Sequence, residues 1–192
     1  WLAHSVPGGE HGEGLGVDWF LEGEHGRTRL RLVHSGFGAG REWDEEFDGT
    51  RRGWDFELRS LKHYLERHLG RSRFAFWLRK AVPFDATEVW TRMIAPQGRV
   101  RWTGSPSLGT GNPVELWLAS GDRIEGKVLQ YLPPTDFACS ADNLNHGLFR
   151  VGYERCAGGP EAIVWVSLWD FPEDQAASLK QRLEEALARI FA

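Results

Sequence analysis

The stretch from Pro113 to Ala192 leaves the chain the least freedom. Strands are expected over Pro113 to Ser120, Arg123 to Leu132, Phe137 to Ala141, Leu148 to Glu154 and Glu161 to Trp169, with Val114, Leu116 and Leu118 at alternate positions in the first and Phe149, Val151 and Tyr153 in the fourth. That period of two marks strands. Between them stand Gly121-Asp122, Pro133-Pro134, Asp142 to Asn145 and Ala157 to Pro160. Such turns are too short for a parallel crossover, so the strands form an antiparallel meander. Pro172 then opens a helix in its first turn, where a missing N–H is tolerated. Ala176, Leu179, Leu183, Leu187 and Ile190 make one apolar stripe along it. Sheet and stripe must bury each other. The expected class is α+β: a curved antiparallel sheet around a long C-terminal helix, with room for a ligand between them.

Upstream, Gly16 to Glu22 and Arg27 to Ser35 alternate about the turn Glu22 to Gly26 and predict a hairpin. Gly36 to Arg52 reads as an acidic loop. A helix over Gly53 to Leu69 buries Trp54, Leu58, Leu61, Leu65 and Leu69, with Gly70 at its C-terminal cap. Arg73 to Lys80 reads as a strand. Asp85-Ala86-Thr87-Glu88 has the form of a capping box before a short helix carrying Val89, Trp90, Met93 and Ile94 and ended by Pro96. Gln97 to Pro113 reads as a loop.

Ser60-Leu61-Lys62 recurs as Ser178-Leu179-Lys180, an offset of 178 − 60 = 118, and Leu65, Glu66 and Leu69 recur as Leu183, Glu184 and Leu187. Each helix follows a strand–turn–strand unit, which suggests an internal repeat. Residues 1–70 are then the C-terminal half of a first domain and residues 71–192 a complete second one. The first residue is Trp1 and the single methionine is Met93, so the chain is expected to be truncated or processed.

Thr28-Arg29-Leu30, His34 to Phe37, Gly53-Trp54 and Leu61 to Glu66 resemble the C-terminal signature of the Aha-type domain, whose family activates a chaperone ATPase, within the START-like (SRPBCC) superfamily. Val82 to Ala86 leading into Val89-Trp90, and Gly126-Lys127-Val128 running to Pro133-Pro134, resemble that family's N-terminal half. The resemblance implies a helix-grip fold around a hydrophobic cavity, and apolar ligand binding. It also implies a chaperone as a protein partner in stress response and, by way of cousins, polyketide cyclisation.

With 23 Lys and Arg against 27 Asp and Glu, the net charge of −4 argues against nucleic acid or anionic membranes as partners. No run of about 18 apolar residues predicts a membrane span, and no signal segment opens the chain. The expected compartment is the cytoplasm, with Cys139 and Cys156 as reduced buried thiols.

Asp44, Glu45, Glu46 and Asp48 invite an acid–base reading, but adjacent carboxylates do not frame a cleft and read as a solvated loop. His4, His11, His25 and His34 have irregular spacings, so no metal site is expected. Gly36 to Gly40 lacks a phosphate-loop lysine and a following helix. No catalytic residue and no cofactor are expected. The cavity candidates are the rings Trp90, Trp117, Tyr131, Phe149, Tyr153 and Trp165, with Met93, Leu179 and Leu183, while Lys127 and Arg150 are expected to face solvent. Three readings stay open: a non-catalytic carrier of a hydrophobic small molecule, a chaperone-directed interaction protein, and a cyclase-like enzyme with an ionisable group in its pocket.

Overall fold

The computed structural model describes residues 2–5, 15–94, 101–104, 109–156 and 159–192. The chain divides into two compact units, 1–48 and 49–192. Among the described residues no helix is long and apolar enough to cross a membrane.

The first unit holds a three-stranded antiparallel sheet in the order β1 (Leu2–Ser5), β2 (Gly16–Glu24), β3 (Arg27–Ser35). The β2–β3 turn is made by His25 and Gly26 at φ 50° and 75°. Two successive positive angles give a turn whose twist matches that of the strands it joins. Helix α1 (Arg41–Arg67) starts inside the predicted acidic loop. Its first three turns take up Asp44, Glu46 and Asp48.

The second unit is a seven-stranded antiparallel sheet in the order β4-β10-β9-β8-β7-β6-β5. Its strands are β4 (Arg73–Ala81), β5 (Arg101–Gly104), β6 (Pro113–Trp117), β7 (Arg123–Leu132), β8 (Asp136–Ala141), β9 (Gly147–Cys156) and β10 (Gly159–Trp169). Strand β5 lies within the predicted loop and pairs with β6, Trp102 opposite Leu116. Pro96 and most of that loop lie outside the described residues, as do Ala157 and Gly158 of the last turn. Every strand pair is antiparallel, as the short turns require. Helix α2 (Ala86–Met93) starts as the capping pattern predicts: the Glu88 N–H donates to Asp85 Oδ1 at 2.9 Å.

Helix α3 (Glu173–Ile190) buries Ala176, Leu179, Leu183, Ala186 and Leu187. They pack on the alternate strand residues Phe137, Cys139, Phe149, Val151, Val164 and Val166. This is a helix-grip arrangement, with the long terminal helix held on one face of the sheet. The other face is covered too. Phe56 of α1 joins Ala138, Leu148, Trp165 and Trp169 there, so β10 is buried on both sides. The stripe predicted to be buried on α1 is not the buried one: Leu65 and Leu69 are 52% and 69% exposed, whereas Arg52, Phe56, Ser60 and His68 are buried.

Candidate functional site

Strand parity sorts the predicted residues. On β9, Phe149, Val151 and Tyr153 point toward α3, and Arg150 points the other way. On β10 the register Trp165 opposite Arg150 puts both on the α1 side. Trp165 therefore leaves the candidate set: its ring meets Phe56 edge-on at 4.8 Å and Trp77 at 6.2 Å. Trp117 leaves it as well, being 46% exposed beneath the Arg123 guanidinium, 5.5 Å from its ring. Seven candidates remain on the α3 side. Met93, Phe149, Leu179 and Leu183 are buried in the core, and Trp90, Tyr131 and Tyr153 are partly buried against it.

These three rings form the edge of the apolar region. Trp90 comes from α2 and Tyr131 from β7, their ring centroids 5.8 Å apart and tilted by 52°. Tyr131 pairs with Phe137 and Phe137 with Val151, which places Tyr153 one step along the same face. A bulge between Val128 and Gln130 bends β7 just before Tyr131. Gly126 lets this strand approach β8 closely, since a Cβ there would lie 2.0 Å from the Ser140 carbonyl oxygen.

Among the described residues, the buried side chains behind the rings carry no charge. Cys139 among them is a free thiol whose pKa is pushed up by burial and further by Asp142. It stays protonated and has no nucleophilic character at neutral pH.

Buried charge gathers on the α1 side instead. Arg150 was expected in solvent, yet it is 2% exposed and donates to both Asp136 oxygens, at 2.9 and 2.6 Å. Burial alone would lower its pKa, but the bond and charge of Asp136, with Glu154 and Glu57, hold it above the ordinary value. Arg52 of α1 approaches the same carboxylate at 3.6 Å. At the other end of the helix, His63 and His68 both direct Nε2 at the His146 carbonyl oxygen, at 2.6 and 3.0 Å. The His68 ring stacks on Trp169 at 4.4 Å, nearly parallel. Neither charge group was foreseen from the sequence.

A cleft of ≈ 330 Å³ opens at the start of α3, lined by Asp122, Arg123, Phe171, Ser178 and Arg182 among others. Two of its charged groups engage each other: Arg182 donates to Asp122 at 2.7 Å, and this hydrogen bond raises the arginine's pKa against a smaller desolvation effect.

The remaining expectations resolve simply. Asp44 and Glu46 are exposed on the helix and frame no cleft. His25 sits in an exposed turn, His34 packs on Phe37 at 4.9 Å, and His11 lies outside the described residues. Among the described residues no group of three metal-ligating side chains assembles. Contrary to expectation a helix does follow Gly36 to Gly40, starting at Arg41, but no lysine of a phosphate loop comes with it.

No protein-family model and no curated protein sequence matches the chain. Solved structures share its outline. An AHSA1-like protein from Aeromonas hydrophila is similar at 15% identity and a TM-score of 0.43, over 61% of this chain and 91% of its own. DynU16, from the dynemicin biosynthetic locus, gives 19% and 0.47 over 60% and 45%. Ara h 8.0201 gives 14% and 0.43 over 62% and 95%. At these scores the likenesses bear no functional conclusion.

Proposed function

We propose that the unit 49–192 is a non-catalytic binding module for an uncharged, apolar small molecule, taken up beside α2 between the sheet and α3. The observation that carries this reading is the set of partly exposed rings Trp90, Tyr131 and Tyr153, which edge an apolar cluster whose buried members bear no charge. Rings at such an edge offer large apolar area to a ligand, and tyrosine hydroxyls add a polar handle. A cyclase-like reaction would need a buried acid or base facing this cluster. Among the described residues the buried charged or basic groups Arg52, His68, Asp136 and Arg150 lie on the opposite face of the sheet, and Cys139, which does face the cluster, is a thiol that burial keeps protonated.

Titration with the neutral fluorophore N-phenyl-1-naphthylamine tests the reading. Saturable enhancement is expected. Trp90→Ala and Tyr131→Ala each weaken it by about five- to tenfold, since an aromatic contact contributes roughly 1 kcal/mol beyond its burial. Trp117→Ala leaves it unchanged. A protein that gives no saturable signal is not a carrier of this kind.

A further inference from the structure

The two faces of the sheet are joined at one residue. The Tyr153 ring belongs to the apolar edge on the α3 side, but its backbone is held from elsewhere. Its N–H donates to the Thr135 carbonyl at 2.8 Å, and its own carbonyl accepts from Arg52 of α1 at 3.4 Å. Arg52 is 8% exposed, and the same guanidinium nitrogen lies 3.6 Å from Asp136, which Arg150 clasps. Gly152 makes the closeness of β8 and β9 possible: a Cβ there would lie 2.5 Å from the Thr135 carbonyl oxygen.

The geometry assigns Arg52 as a positioning residue for the binding edge: by holding the Tyr153 carbonyl from the α1 side, it fixes the tyrosine on the α3 side and couples the docking of α1 to ligand affinity. A guanidinium suits this task. It carries a permanent charge and several donors in one plane, so it can serve a carbonyl and a carboxylate together. At 3.4 Å its hydrogen bond to the carbonyl is long, and its charge strengthens it relative to a neutral donor at that distance. With Arg52 shortened, Asp136 keeps Arg150, but the Tyr153 carbonyl loses its partner from α1, and the strand end that carries the ring can shift. The inference rests on the carrier reading above, and the test separates the two.

Three variants are compared with the native protein for N-phenyl-1-naphthylamine affinity, thermal stability, and hydrogen exchange over Gly152 to Glu154. Arg52→Met is expected to weaken affinity by at least about fivefold, the size of one charge-assisted bond lost in part. Arg52→Lys, which keeps the charge and a donor, restores part of it. His68→Ala removes the stack on Trp169 at the far end of the docked helix. It lowers stability but leaves affinity within about twofold, because it does not touch Tyr153. Equal affinity in Arg52→Met and native protein overturns the inference, as does an equal loss in His68→Ala. If the native protein takes up no fluorophore, the carrier reading fails by itself. Exchange then decides for Arg52: faster exchange over Gly152 to Glu154 in Arg52→Met than in His68→Ala upholds the tether, and equal exchange removes it.

Discussion

Asp136 and Arg150 stand on neighbouring strands, both turned away from α3, and close a two-point clasp of 2.9 and 2.6 Å. Both side chains are at most 2% exposed. Taking such charges out of water is costly, and their mutual bonding offsets that cost only while both are present. Arg150 also lies 4.9 Å over the Phe56 ring, so the clasp lies under the docked helix.

Breaking the clasp from one side should therefore be severe. Asp136→Asn and Arg150→Met are each expected to lower the unfolding free energy by about 3–5 kcal/mol, as for other single deletions from buried ion pairs. Urea denaturation followed by circular dichroism measures this. A loss below about 1 kcal/mol would mean that the pair is in contact with water.

His63, near the end of α1, makes stability depend on pH. Burial is the main cause that lowers the His63 pKa, with the nearby His68 and Arg67 charges adding to it against the His146 carbonyl and Asp142. A folded-state pKa below the unfolded value of about 6.5 means that the unfolded chain binds the proton first on acidification. The stability from neutral His63 is therefore complete above about pH 6.5 and is lost as the pH falls through the lowered value. Melting temperatures between pH 8 and pH 5 should decline for the native protein. They should decline less for His63→Gln, which can still donate a hydrogen bond but does not titrate.

Two leucines, one on each long helix, should respond differently. Leu65 and Leu183 stand at the same offset in sequence as Ser60 and Ser178, 183 − 65 = 118, yet Leu65 is 52% exposed and Leu183 5%. Leu183→Ala is expected to cost about 2–5 kcal/mol, through lost burial and the cavity left behind. Leu65→Ala should stay within about 0.5 kcal/mol. Chemical denaturation of the two variants gives the comparison. A large loss in Leu65→Ala would show that this side of α1 is covered in solution.

Two glycines should behave in opposite ways when changed to alanine. Gly126 faces the Ser140 backbone at a distance no Cβ can occupy, so its strand must move away, at a cost of about 1–3 kcal/mol or more. Gly53 lies inside α1 with open space where a Cβ would go. Gly53→Ala should stabilise by about 0.5–1 kcal/mol through helix propensity. Thermal melts of the two proteins are enough to check the signs.

What could be read in advance follows the hydrophobic period. The α3 stripe and the meander were legible because Leu179, Leu183 and Leu187 recur at helical spacing and each strand ends at a turn residue. The face of α1 that docks was not legible. It buries Phe56 with Arg52, Ser60 and His68, and polar residues leave no hydrophobic signature; the leucine stripe beside them dominates the pattern. The burial of Arg150 is hidden for a related reason. Its partner Asp136 lies on another strand, and sequence spacing carries no sign of the pair. The sequence does not tell which face Trp165 takes, because β10 is buried on both sides and so lacks the alternation that separates one face from the other. The acidic start of α1 reads as a loop because glycines precede it and the apolar residues there, Trp43 and Phe47, are few.

The neutral thiol of Cys139 has a practical corollary. It is fully enclosed by the residues that α3 covers, so an alkylating reagent can reach it only in moments when the terminal helix lifts away. The labelling rate of the peptide containing Cys139, read by mass spectrometry, therefore serves as a clock for those openings. A guest seated beneath the helix would slow that clock without any dye or change to the protein.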